Sequence, residues 1–295
     1  MIHPLNSIAL PLRTQAARRV DRAPSARAAL AAVRQANAEL QRALSQAQDA
    51  QRRAELLNRR QTEQMALVAH ELRTPLMTLS TSATLLARMP AETAPQLLAV
   101  IERQTTRMAR VIDDLLDVSR VHTGKLRLLF DDVHIAGMVQ DVLDGCRSAM
   151  FAREQTLQLA MSSSIGQMRA DDTRLAQILG NLVGNASKYT PCGGTIGLAV
   201  SRQAGSIVFT VTDDGIGMTP QALLQVFDPF VQEAHALNFN RDGLGLGLAV
   251  VRELTHAHGG RVEAHSDGLG CGSRFVVTIP AEAGPVTAGQ SASSR

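Results

Sequence analysis

A chain of 295 residues, 45% hydrophobic and with a formal net charge of +3, is long enough for one or two domains with cores of their own. No apolar run approaches the roughly 18 residues of a membrane span. Residues 1–12 lack a basic start, and Pro4 and Pro11 break their apolar part, so no secretory signal is expected there and a cytoplasmic chain is.

Residues 1–25 mix Pro, Arg and Ala without period and read as a flexible basic lead. Residues 1–64 hold 11 Arg against 5 Asp or Glu, yet they lack interleaved aromatics and any nucleic-acid reading module, so a solvated helix face is expected and no nucleic-acid partner. Over 26–61 the composition turns to Ala, Arg, Gln, Glu and Leu. Leu30, Val33, Leu40, Leu44 and Ala47 fall at heptad-like spacing, with Asn37 on the seam and a loss of register after Ala50. That pattern predicts a coiled-coil helix with a phase break.

A second apolar seam follows over 62–124: Met65, Val68, Leu72, Leu76, Leu79, Ala83 and Leu86 on one helix, a turn around Pro90, then Leu97, Ile101, Met108, Ile112, Leu115 and Val118 on another. One helical hairpin cannot bury so wide a stripe alone, so a homodimeric four-helix bundle is expected. After Gly124 the texture changes. Short apolar runs at 126–130, 157–161, 195–200, 206–212 and 274–279 alternate with helical stretches near 135–153, 172–188 and 245–258. Over 125–281 this predicts a two-layer α/β sandwich, making the whole chain α+β, with 282–295 a Ser-, Gly- and Ala-rich disordered tail. Cys146, Cys192 and Cys271 are spaced too widely for a metal knuckle and fit a reducing compartment.

Within the first seam stands Ala69-His70-Glu71-Leu72-Arg73-Thr74-Pro75-Leu76. His70 lies about 200° around the helix from Val68 and from Leu72, hence off the seam and toward solvent. An exposed imidazole beside a carboxylate is a nucleophile with a base at hand, and Pro75 frees the carbonyl of Glu71 and predicts a kink. Taken alone, such a pair is ordinarily just solvated; the seven other histidines receive that reading, with His256 and His258 placed structurally at a helix end before Gly259-Gly260.

Farther on, Asn181 and Asn185 stand four residues apart on one predicted helical face, with Lys188, one of only two lysines, on the same side and Tyr189, the chain's only tyrosine, next to it. An amide oxygen is a hard ligand suited to Mg²⁺, and an ammonium is a point charge suited to phosphate. Asp213-Asp214-Gly215-Ile216-Gly217 follows an apolar run, Phe227-Asp228-Pro229-Phe230 leads into a polar stretch at 231–242, and Gly243-Leu244-Gly245-Leu246-Gly247-Leu248 opens a helix. Glycines at a helix start offer free N–H groups to phosphate. Each motif by itself has a bland reading as a helix face, a turn or a loop.

In this order, however, the motifs resemble those of the sensor histidine kinases of two-component systems, over residues 62–281: the phosphoacceptor string at His70, the asparagine box, two glycine boxes and the phenylalanine box. The resemblance implies a dimerisation and histidine-phosphotransfer domain followed by an ATP-binding domain of the gyrase, chaperone and histidine kinase type. It also implies ATP and Mg²⁺ as cofactors, autophosphorylation of His70 with Glu71 as base, and transfer to an aspartate on a response regulator receiver domain. Asn185 is implied as the Mg²⁺ ligand, Asn181 and Lys188 as phosphate contacts, and Tyr189, Asp213, Gly215 and Gly217 as the adenine side. Phe230, Arg241, Gly243, Gly245, Gly247 and Leu248 are implied around a mobile lid and the phosphates. Thr74 matches the position implied in dephosphorylating the partner. Residues 123–125 are expected to be the hinge, and input is expected from a separate sensor or membrane partner. Ala69 stands where many relatives have Ser, and the lid is poor in basic residues. A catalytically silent scaffold and a gyrase- or chaperone-type ATPase are the rival readings; the intact motif around His70 on a dimerising helix speaks against both.

Overall fold

A computed structural model describes residues 22–88, 94–122, 126–162, 165–239 and 243–282. The turn around Pro90, the hinge at 123–125, Arg241, and nearly all of the lead and tail lie outside the described residues. Two compact units divide the chain, Met1–Ala66 and Leu67–Arg295.

Helix α1 spans Arg22–Leu86 and α2 spans Ala94–His122. No Gly and no interior Pro other than Pro75 interrupts α1, and the helix continues past that proline. In the first unit Leu30, Val33, Leu40 and Leu44 are all more than half exposed. In the second unit, Glu71 on α1 lies 3.6 Å from Arg107 on α2, which sets His70 and Arg107 at one level of the hairpin. The seam residues Leu72, Leu79, Met108, Leu115 and Val118 are only half-buried, and Leu76 and Ile112 are exposed. Of the described hairpin's apolar residues only Pro75 is buried, and Val118 packs half-buried against the main core, whose first residue is Val133.

That core lies in the α/β part. Its elements are β1 (Asp131–His134), α3 (Ile135–Phe151), β2 (Thr156–Met161), β3 (Gln167–Ala170), α4 (Asp172–Tyr189), β4 (Thr195–Gln203), β5 (Ser206–Asp213), α5 (Pro220–Leu223), α6 (Ala234–Phe239), α7 (Gly247–Ala257), β6 (Arg261–His265) and β7 (Ser273–Pro280). Five strands form one sheet in the order β2-β4-β5-β7-β6, with β2 parallel to β4 and the other pairs antiparallel; β1 and β3 form a separate antiparallel pair. Alternation along the strands sends Ile196, Leu198 and Val200, Ile207, Phe209 and Val211, and Val277 and Ile279 to one face. There they share a core with Val139 and Leu143 of α3, Ile178 and Leu182 of α4, and Val251 and Leu254 of α7. The result is the expected two-layer sandwich.

The differences in detail have plain causes. Residues 126–130 were expected as a strand but are irregular, and pairing begins at Asp131 against Ala170. Strands β3 and β6 escape the sequence reading because Gln167–Ala170 and Arg261–His265 interleave charged or polar residues with only two apolar ones each. His258 caps the end of α7, as its place before Gly259-Gly260 predicts, and it is fully buried there, not solvated. Its Nδ1 lies 2.8 Å from the Leu254 carbonyl, and its Nε2 accepts from the Asp171 N–H at 3.2 Å. Burial pushes its pKa down, which suits a neutral ring with one donor and one acceptor.

Candidate functional site

Helix α4 starts where Asp171 caps it, accepting from the Arg174 N–H at 3.1 Å. One face, Leu175, Ile178, Leu179, Leu182, Val183 and Ala186, is buried in the core. That anchoring leaves Arg174, Gln177, Asn181, Asn185 and Lys188, three or four residues apart, along the other side, where all five line a cleft. The Asn181 side-chain nitrogen is buried without a hydrogen-bond partner, an arrangement that calls for an acceptor from a ligand. Lys188 Nζ stands 4.6 Å from the centre of the Tyr189 ring.

The Gly243–Leu248 segment crosses above this face. A Cβ on Gly247 would come within 3.5 Å of Asn181 Oδ1, and one on Gly243 within 3.7 Å of Lys188 Nζ. The segment leads into α7, whose cap residue Leu246 supplies no side-chain hydrogen bond, so the first N–H groups of that helix are left for another acceptor.

At the end of β5, Asp213 pairs in register with Ser273. Its Oδ1 accepts from the N–H groups of Gly215 at 3.0 Å and Ser273 at 3.1 Å, which uses one oxygen and leaves Oδ2. Burial pushes the carboxyl up to about 6, against those two hydrogen bonds, which lower it. Gly217, with φ of 67°, is held so near the Gly268 carbonyl that a Cβ would overlap it, so only glycine fits there.

Asp213, Gly217, Tyr189, Asn185, Lys188 and Gly243 to Leu248 all line the same cleft. Its volume, about 1560 Å³, exceeds the roughly 300–1,000 Å³ of an ordinary ligand pocket because residues 106–120 of α2 line it too. Gly215 and Phe230 do not line it. Phe230 has φ of 64° and its N–H donates to the Gly245 carbonyl at 3.1 Å, so it acts through the glycine segment. In the 231–242 stretch, α6 occupies Ala234–Phe239.

His70 is exposed on α1, as is Thr74, whose carbonyl accepts from Thr78 Oγ1 at 3.1 Å. Glu71 is turned to Arg107. None of these three lines the cleft, so the structure assembles the cleft residues with one another but not with His70.

A polar group missed in the sequence joins α2 to α4. Asp117, 4% exposed at its side chain, accepts at Oδ2 from Arg174 Nη1 at 2.7 Å and from Gln177 Nε2 at 2.9 Å. Burial, followed by the nearby Asp117 charge, pushes Asp114 up to about 6. The signal was present, since Arg174 and Gln177 continue the stripe of Asn181 and Asn185.

Two family models match the chain: "His Kinase A (phospho-acceptor) domain" over residues 60–124 and "Histidine kinase-, DNA gyrase B-, and HSP90-like ATPase" over 170–283. An uncharacterized sensor-like histidine kinase of Rhizobium meliloti (strain 1021) is 32% identical over 239 residues, covering 78% of this chain and 45% of that protein. The chain spans less than half the length of the curated relatives it matches first. Among solved structures, full-length ShkA in complex with AMPPNP is 32% identical with a TM-score of 0.57, covering 76% of this chain and 47% of that one. The histidine kinase ThkA in complex with the response regulator protein TrrA shares the fold, with a TM-score of 0.53 at 20% identity over 74% of this chain and 61% of that one.

Proposed function

The chain belongs to the sensor histidine kinase family, and we propose that it binds ATP with Mg²⁺, phosphorylates its own His70 and passes the phosphoryl group to an aspartate on a response regulator receiver domain. The observation that carries this reading is the single cleft in which three distant motifs meet: the polar face of α4, the Asp213 carboxylate and the Gly243–Leu248 segment.

The residues present suit the ligand. Asp213 Oδ2 accepts from the adenine amino group, a match that guanine, with a carbonyl there, does not make. The unpartnered Asn181 nitrogen and the Lys188 ammonium face phosphate oxygens, and the uncapped start of α7 adds backbone donors. Asn185 supplies an amide oxygen for Mg²⁺, which when bound offsets charge on the phosphates. Phosphoryl transfer rests on in-line placement and charge stabilisation. A ring nitrogen of His70 therefore bonds the γ-phosphorus as its bond to the ADP oxygen breaks, and the ring proton passes to Glu71. Because His70 lies outside the cleft, the ATP-binding part has to shift against the hairpin for transfer. Thr74, one turn on, orients water when the receiver is dephosphorylated. A response regulator as partner is supported by the likeness to ThkA, whose structure is a complex with a response regulator protein.

Incubation with ATP should leave an acid-labile, alkali-stable phosphate on the chain. His70→Gln should abolish it while ATP affinity stays within about twofold. Wild-type labelling of that variant would refute the assignment.

A further inference from the structure

Helix α4 presents Asn185, Lys188 and Tyr189 from its last turn, where backbone carbonyls lack intrahelical partners. Two side chains from the turn between α3 and β2 occupy those carbonyls. Arg153 Nη1 donates to Ser187 O at 2.9 Å and to Lys188 O at 3.1 Å. Gln155 Nε2 donates to Ser187 O and to Thr190 O, both at 2.9 Å, while its Oε1 accepts from Ser187 Oγ at 2.7 Å. Glu154 between them has φ of 56°, a conformation that non-glycine residues rarely adopt, and the chain holds it there with N–H bonds from Glu154 to Phe151 O at 3.0 Å and from Gln155 to Met150 O at 3.0 Å. The turn is further tied by Gly193 N–H donating to Arg153 O at 3.0 Å. Arg153 also lines the cleft.

We infer that Arg153 and Gln155 are positioning residues for the nucleotide: they clamp the last turn of α4 so that Lys188 and Tyr189 meet the phosphates and the base. This rests on the nucleotide reading above. Two effects combine. The clamp fixes the turn geometrically, and the guanidinium offsets the negative end of the helix beside the place where phosphate has to settle. Without it, the exposed carbonyls of residues 187 and 188 would repel the anion that Lys188 attracts.

The sequence supplies its own reporter, since Tyr189 is the only tyrosine and there is no tryptophan. Tyrosine emission of the full chain, titrated with ATP and Mg²⁺, therefore reads the clamped turn directly. Arg153→Met and Gln155→Leu should each weaken ATP binding about tenfold, the order of one hydrogen bond, and raise the KM for autophosphorylation in proportion at near-constant kcat. Arg153→Lys should recover part of the loss. A residue that merely held the fold would reduce the active fraction, so kcat would fall with KM unchanged; that result, or wild-type affinity in both variants, overturns the inference. Should Arg153→Met not fold, Gln155→Leu and Arg153→Lys carry the same test. A wild-type chain that fails to bind ATP would instead defeat the nucleotide reading itself.

Discussion

Asp213 shows how the surroundings of a single residue suit the adenine contact proposed for it. One oxygen is held by two backbone N–H groups and the other is left for a ligand, in surroundings that raise the carboxyl to about 6. In Asp213→Asn the amide oxygen takes the place of Oδ1, since the Gly215 and Ser273 donors require an acceptor. The NH2 then stands where Oδ2 stood and confronts the amino group of adenine, donor against donor. ATP affinity should fall by at least about tenfold, as expected when a hydrogen bond to a charged group is lost and a donor is left unpaired. The same geometry gives a pH dependence: wild-type affinity should hold above about 6 and decline as the carboxyl protonates below it. Calorimetric titrations at several pH values check both, and Asp213→Asn should flatten that decline.

At the scale of elements, the contact between α2 and α4 is carried by Asp117, Arg174 and Gln177 around a buried carboxylate. Removing one partner leaves a buried charge uncompensated, so Arg174→Ala should cost about 3–5 kcal/mol in denaturant unfolding. Asp117→Ala with Arg174→Ala should cost less than the sum of the single changes. Neighbouring Asp114 adds a signed pH effect. Its folded carboxyl sits at about 6 against an ordinary 3.8, so the native state binds the proton more tightly between those values. The resulting stabilisation is complete below about 4 and is lost as pH rises through about 6. Asp114→Asn should remove that slope from the stability profile. These elements also show what the sequence made legible. Period and motif located α3, α4, α7 and the three central strands, because each buries one regular face. The cleft residues were found because their chemistry is local to short strings. By contrast, β3 and β6 carry almost no apolar signal, and Asp117 meets Arg174 only through packing of segments 57 residues apart. The burial of His258 was illegible for the same reason, since its partner Asp171 lies 87 residues away.

For the molecule as a whole, the decisive fact is where burial is missing. Between α1 and α2 of the second unit, the seam residues Leu72, Leu79 and Leu115 are half-buried, while Leu76 at 57% and Ile112 at 44% remain exposed. The α/β part, in contrast, closes a complete core from Val133 to Ala281. A helical hairpin with an open apolar stripe gains stability only by covering it, and a second copy of the same hairpin offers the matching surface. A homodimer through these helices is therefore our proposal for the assembly. Leu79→Asp places a charge in the shared seam, where truncating a leucine alone typically costs roughly 2–5 kcal/mol. In a dimer that loss falls on association as well as folding, so the wild type, unlike a monomeric variant, should lose stability as protein is diluted. Light scattering should give a dimer for the wild type at micromolar concentration and a monomer, or an unfolded hairpin, for Leu79→Asp. Residues 125–282 expressed alone should stay folded and bind ATP in either case, because every fully buried apolar residue of their core lies between Val133 and Ala281 and α2 adds to it only the half-buried Val118. A well-folded wild-type monomer at that concentration would refute the bundle.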